Sequence, residues 1–151
     1  MSNACNVHVA VRFVSLYEDQ AAEVAGQLDL PTENILGLAA HECRHGIGRF
    51  AVEGNSFFSM RSPASYEIGT MTAKGDAKVK LAKFASFEMA AKSFKDRWGE
   101  GVRGKKDAGE FSRTLVTIGF NTGKSSNGGT DNYAKILENI IRMVKVRMQC
   151  R

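Results

Sequence analysis

Apolar positions recur at helical spacing along most of the chain. Phe13, Leu16, Tyr17, Ala21, Val24, Ala25 and Leu28 fall on one face and predict a helix over residues 13–28. Val7, Val9 and Val11 alternate just before it and read as briefly extended. Leu30-Pro31-Thr32-Glu33 is a helix start, with Thr32 as N-cap and Glu33 in the acid-favouring first turn. That second helix is expected to run to about His45, where Gly46 and Gly48 end it and a loop leads through Asn55 to Phe57 and Phe58. Between 57 and 84 the pattern changes. Tyr66, Ile68, Met71 and Thr72 precede Lys74-Gly75-Asp76, and Val79, Leu81 and Phe84 follow it, as in an antiparallel hairpin. Helical spacing resumes from Phe87 to about Trp98 and again over residues 108–118, with Phe111, Leu115 and Ile118 inward. Residues 123–129 form a polar, Gly-rich loop without the Lys and Ser/Thr spacing of a phosphate cradle. A last helix begins near Thr130-Asp131 and carries Tyr133, Ile136, Leu137, Ile140, Ile141 and Val144 as its stripe.

One position breaks the hydrophobic logic. Ile35, Leu38, Ala39, Glu42 and Cys43 share a helical face, so the pattern puts the Glu42 carboxylate on the inward stripe. Apolar surroundings raise a carboxyl pKa and suit it to general-acid work near neutral pH. The bland alternative is an ion pair with Arg44 or Arg49. His41-Glu42-Cys43-Arg44-His45 also spells H-E-x-x-H, the helix in which zinc peptidases hold their metal, with Gly48 continuing the longer form. Ala51 stands where that form needs its third histidine, and neither His8, Glu53 nor Glu67 lies at a recognisable offset. No metal or cofactor is therefore expected. A Cys43–His nucleophile is disfavoured, because helical residues two apart do not meet.

At 151 residues, 43% hydrophobic and 25% charged, the chain is read as one domain over residues 1–151. No apolar run approaches the roughly 20 residues of a membrane span, and the N-terminus lacks a basic then apolar leader. The expectation is a protein made in the cytoplasm without a signal peptide and without membrane insertion. The net charge of +5 suits an anionic polymer but ordinarily marks only a solvated surface, and nucleic acid is not expected as a partner. Of three cysteines, Cys5 and Cys150 lie near the two ends. A bridge between them is geometrically open in an oxidising compartment, with two separate thiols the default reading.

Two ordered motifs carry a resemblance. Ile35-Leu36, Ala39-Ala40, Glu42, Gly46 and Asn55-Ser56-Phe57-Phe58-Ser59-Met60 resemble the active-site segment of bacterial endo-β-N-acetylglucosaminidases of the flagellar-hydrolase and autolysin type, I-L-A-Q-A-x-x-E-S-x-W-G followed by N-N-L-F-G-I-K. Thr130-Asp131-Asn132-Tyr133-Ala134 resembles the family's T-D-P-x-Y-A. The chain departs from the pattern at Cys43, His45, Ser56 and Ser59-Met60, as in a divergent branch. The resemblance spans about residues 17–141 and implies a mainly α (α+β), lysozyme-like fold with a small β-hairpin lobe flanking a cleft. It implies cleavage of peptidoglycan glycan strands after N-acetylglucosamine, with Glu42 as general acid, Tyr133 beside the reacting sugar, and Asp76 in the hairpin lobe as second carboxylate. Glu67 or the substrate's own 2-acetamido group are the alternatives to Asp76. Asn55, Phe57, Phe58, Glu67 and Asp131 are the candidate substrate contacts, although core packing is the ordinary role of such phenylalanines. Muramidase specificity, zinc peptidase chemistry and a non-catalytic glycan-binding domain are the rival readings. Of the two motif histidines, His45 is expected closer to the cleft.

Since peptidoglycan lies outside the cytoplasmic membrane and no leader is evident, another machine must export the chain. A contractile secretion system, a phage lysis pathway and a flagellar or tail assembly are the candidates. An interbacterial toxin is favoured, which implies a small immunity protein with an acidic surface that blocks the cleft.

Overall fold

The structure, a computed structural model, describes residues 3–73 and 76–150. Its centre is helix α2 (Thr32–Glu42), in which every residue from Asn34 to Ala40 is buried. A helix apolar all round needs neighbours on every side. α2 packs against α1 (His8–Gln27) and α7 (Tyr133–Arg147), while α6 (Ala108–Thr117) lies against α7. The approach of α2 to α7 at Ile141 depends on Gly37, where an added Cβ would sit 2.7 Å from Ile141 Cγ1 and 2.9 Å from Ile141 Cα. Alanine is the better helix former by about 0.5–1 kcal/mol, but a clash with backbone is not relieved by rotating a side chain. Gly37→Ala is therefore expected to destabilise the fold by about 1–3 kcal/mol. A lowered urea midpoint checks this, and an unchanged midpoint contradicts it.

The remaining helices are short. α3 (Arg49–Gly54) follows the turn after α2, and α4 (Phe87–Phe94) runs through a π-helical segment at Lys95–Gly99 into α5 (Glu100–Val102). Ser86 caps α4 by accepting from Met89 N, and Asp107 caps α6 by accepting from Glu110 N. Strands β1 (Gly69–Ala73) and β2 (Asp76–Lys83) form the antiparallel hairpin, with Met71 opposite Leu81 and both side chains buried. The turn residues Lys74 and Gly75, and the side chains of Asp76 and Ala77, lie outside the described residues. The hairpin's base is fixed by Phe84 N donating to the Gly54 carbonyl at 2.8 Å.

Several expectations are corrected. α1 starts at His8, so Val7-Val9-Val11 is no strand; Val9 and Leu16 stay exposed on the helix while Phe13, Ala21, Val24 and Ala25 go inward. Pro31, not Thr32, occupies the N-cap of α2, and proline's fixed φ serves the entry without a side-chain cap. α2 stops at Glu42, three residues early. Arg44 and His45 both take left-handed backbone, and Gly46 continues at φ 85°, a conformation that glycine adopts without penalty. α7 begins at Tyr133 rather than at Thr130-Asp131, and Ile136 lies outside its buried stripe of Tyr133, Leu137, Ile141 and Val144.

Cys5 and Cys150 form a disulfide, which overturns the reading of two separate thiols. The 3-10 turn Asn3–Asn6 lies along α7, where buried Arg147 Nε donates to the Ala4 carbonyl at 3.2 Å and brings the ends together.

Candidate active site

Glu42 and Tyr133 are the last residue of α2 and the first of α7, so the contact of these two helices brings them together across ninety-one positions of sequence. Tyr133 Oη donates to Glu42 Oε2 at 2.7 Å. Neither Arg44 nor Arg49 takes this place. Arg49 pairs with Glu53 at 3.3 Å and donates to the Thr72 carbonyl at 3.2 Å. Glu42 is half-buried and opens into a cavity of about 320 Å³ lined also by Arg44, Arg49, Phe50 and Ser59. Burial raises its pKa above the ordinary 4.5, while hydrogen bonds from Tyr133 and Ser59 and the nearby His41 pull the other way. Desolvation wins, which favours the protonated carboxyl. Tyr133 is 1% exposed, and burial together with the Glu42 carboxylate pushes its pKa far up, so it stays a phenol and a donor.

Removing that phenol tests the pairing. As a general acid gives up its proton it becomes a carboxylate, and a hydrogen bond to such a charged acceptor is worth about 1.5–3 kcal/mol, so if Glu42 acts in that way Tyr133→Phe is expected to lower turnover roughly ten- to a hundredfold with little change in fold. Steady-state rates on purified cell wall, read beside an unfolding curve, check this; equal rates contradict it.

The other sequence-derived residues fare differently. Phe57 and Phe58 are core residues, 2% and 0% exposed. Phe57 lies among Phe13, Tyr17 and Phe87, and Phe58 stacks on Phe94 at 5.3 Å, so both rings are packed into the core. Asn55 ends α3 in left-handed backbone, and its Nδ2 donates to the Phe84 carbonyl at 3.0 Å, tying the hairpin's base to the helix. Glu67 accepts from Ser62 Oγ at 2.9 Å and Ala64 N at 2.8 Å and holds its own loop. Asp131 accepts from Ser125 N and Oγ, bonds that lower its pKa and clasp the loop before α7. Asp76 opens β2 on the hairpin.

The H-E-x-x-H reading loses its helix. Because α2 ends at Glu42, His41 and His45 are not one turn apart on a helical face. His41 meets Tyr133 edge-on at 5.4 Å, whereas His45 packs against Phe13 at 5.9 Å, on the cavity lined by Val9, Leu16 and Ile47. The expectation that His45 is the nearer to the cleft is thus reversed. Among the described residues no group of three His, Cys, Asp or Glu side chains is arranged to hold a metal. Burial pushes the Cys43 thiol up to about 12, which makes it a poor nucleophile.

A further part of the site was not read from the sequence. Ser59, with φ 52°, borders the Glu42 cavity and also a second one of about 260 Å³ lined by Arg61, Arg97, Trp98, Phe120, Asn121 and Thr122. Half-buried Trp98 meets Phe120 edge-on at 5.6 Å, and Phe120 lies 6.4 Å from Tyr133. Aromatic surface therefore runs from the acid into this second cavity. The chain's lone tryptophan was the available signal, but the pattern had absorbed it as the end of a helix.

Compared with solved structures, the chain is 44% identical to a chain of a type VI secretion system effector–immunity complex from Pseudomonas protegens, with a TM-score of 0.89, covering 99% of this chain and 100% of that one. The chain belongs to this type VI secretion family. It shares its fold with a peptidoglycan hydrolase from Sphingomonas sp. A1, at 24% identity and TM-score 0.76 over 92% of this chain and 93% of that chain. The C-terminally truncated glycoside hydrolase domain of Salmonella typhimurium FlgJ has the same fold, at 18% identity and TM-score 0.65 over 91% of this chain and 98% of that chain. No protein-family model and no curated protein matches the chain. The chain is thus mainly helical with a two-stranded hairpin, a fold that it shares with these two proteins. Among its described residues, no helix is long and apolar enough to cross a membrane.

Proposed function

We propose that the chain is an antibacterial peptidoglycan hydrolase that cuts the β-1,4 bond after N-acetylglucosamine, with Glu42 as general acid. The observation that carries this reading is the half-buried Glu42 carboxyl, raised in pKa and held by Tyr133 at the mouth of the cleft. Protonated Glu42 gives its proton to the glycosidic oxygen as the bond from the sugar's C1 to that oxygen breaks. Water then adds to C1 and loses a proton, leaving N-acetylglucosamine as the new reducing end. Asp76 supplies the second carboxylate from the hairpin, since Glu67 is committed to Ser62 and Ala64. Where Asp76→Asn retains full activity, the substrate's acetamido group takes that role.

The delivery reading rests on the family. An enzyme fold belongs to the effector of an effector–immunity pair rather than to its inhibitor, so type VI secretion into a rival cell is the proposed route. A cognate immunity protein covering the cleft is the matching partner. The Cys5–Cys150 bridge suits work in an oxidising compartment such as the periplasm.

The experiment that separates this reading from zinc chemistry uses His45, whose ring lies against Phe13 rather than in the Glu42 cavity. His45→Ala protein is expected to keep substantial wall hydrolysis, and wild-type protein to keep its activity in excess chelator. Stoichiometric zinc together with an inert His45→Ala variant overturns the proposal.

A further inference from the structure

The cavity beyond Ser59 has a composition that an uncharged sugar does not require. Its wall combines the Trp98–Phe120 pair with two arginines, Arg61 and Arg97. The arginines are not equivalent. Arg97 is turned to the backbone, donating to the Arg61 carbonyl at 2.9 Å and to the Pro63 carbonyl, so it straps the 61–63 segment against the π-helical turn. Arg61 itself is held in main chain by that bond and by its bridge to Leu81, while its side chain is exposed at the cavity. Among the described residues no carboxylate pairs with the Arg61 guanidinium. A fixed backbone thus carries an uncommitted planar cation at the rim of an aromatic subsite, a few residues from the proposed acid's Ser59 neighbour.

We propose that Arg61 is a specificity-determining residue that recognises a carboxylate carried on the lactyl substituent of the N-acetylmuramic acid lying beside Trp98 and Phe120. This rests on the glycan-hydrolase reading above. Aromatic faces stack on sugar rings of any kind, so they cannot tell peptidoglycan from an uncharged polymer of N-acetylglucosamine. A guanidinium can, because it pairs with carboxylates through parallel N–H donors. The carboxylate has two sources. In intact strands it belongs to the stem peptide, and in strands stripped of peptide it is the lactyl group's own.

The test measures binding by Glu42→Gln protein, which leaves the glycans uncut, to three probes of matched length: peptide-bearing strands, amidase-stripped strands and N-acetylglucosamine oligomers. Adding Arg61→Gln is expected to weaken the acidic strands about three- to tenfold and leave the neutral oligomers unchanged, with Arg61→Lys recovering part of the loss. Loss confined to peptide-bearing strands assigns the contact to the stem peptide, loss confined to stripped strands assigns it to the lactyl carboxylate, which is an uncharged amide in intact strands, and loss on both acidic probes means that the guanidinium pairs with either carboxylate. Equal weakening on all three probes, or on none, overturns the inference. Failure of the wild-type protein to digest purified wall instead overturns the hydrolase reading, and the two failures are read in separate assays.

Discussion

Glu42→Gln is expected to yield a folded protein whose wall hydrolysis is lower by roughly a hundredfold or more, the scale of losing a general acid. The amide keeps the side chain's volume and still accepts from Tyr133, so the lesion is the missing proton rather than a collapsed site. Stability should move the opposite way. Glu42's pKa is raised in the fold above its ordinary 4.5, so between those two values the folded protein holds a proton that the unfolded chain has lost. Stability therefore falls as pH rises through that window, and glutamine removes the dependence. The variant's advantage in unfolding midpoint is expected to be absent well below the ordinary carboxylate range and to open towards neutral pH. A variant that is both inactive and less stable near neutrality would mean that Glu42 is a structural ion rather than a buried acid.

The second large effect is expected at the other end of α7. The Cys5–Cys150 bond closes nearly the whole chain, with a sequence separation of 145, and in the chain-entropy account such a loop is worth about 5 kcal/mol, with measured losses usually about 2–5 kcal/mol. Reduction, or the Cys5→Ser and Cys150→Ser pair, is expected to lower the unfolding midpoint by roughly 5–20 °C for a chain of this size. Below that midpoint activity should persist, because the bond joins the ends while the Glu42–Tyr133 contact is made where α2 meets the start of α7. Matching curves with and without reductant would contradict this.

The parts of the fold legible in sequence were those with long, regular stripes or direct cross-strand pairs. Phe111 and Leu115 on α6, Leu137 and Ile141 on α7, and Met71 with Leu81 in the hairpin needed only their spacing. Local ambiguity hid the rest. Three alternating valines look extended until a twenty-residue helix is seen to start just after Val7 and run through Val9 and Val11. His41-Glu42-Cys43-Arg44-His45 contains no helix breaker, and α2 stops within it through left-handed turns stabilised by His45 N donating to the Ala40 carbonyl and Gly46 N to Cys43 Sγ. α3 has only six residues between Gly48 and Asn55, too few for a period to register.

The site divides along the same line. Glu42 stood out because a carboxylate on an apolar stripe needs a reason, and Tyr133 because its motif follows in the right order. Trp98 and Phe120 reach the cleft from a π-helical turn and from the loop after α6, a juxtaposition that no local pattern encodes. Conversely, Phe57, Phe58, Asn55 and Asp131 lie within motifs that resemble an active site. The structure gives them to packing, loop clasps and the hairpin's base.

The most direct test of a glycosidase acting after N-acetylglucosamine is the chemistry of the ends it makes. Purified peptidoglycan is digested with the wild-type protein, the products are reduced with borohydride, and the reduced sugar is identified by mass spectrometry. Reduced N-acetylglucosamine at the new ends, absent from a Glu42→Gln digest, is the predicted result; reduced N-acetylmuramic acid, or intact glycan strands with cut stem peptides, would contradict it.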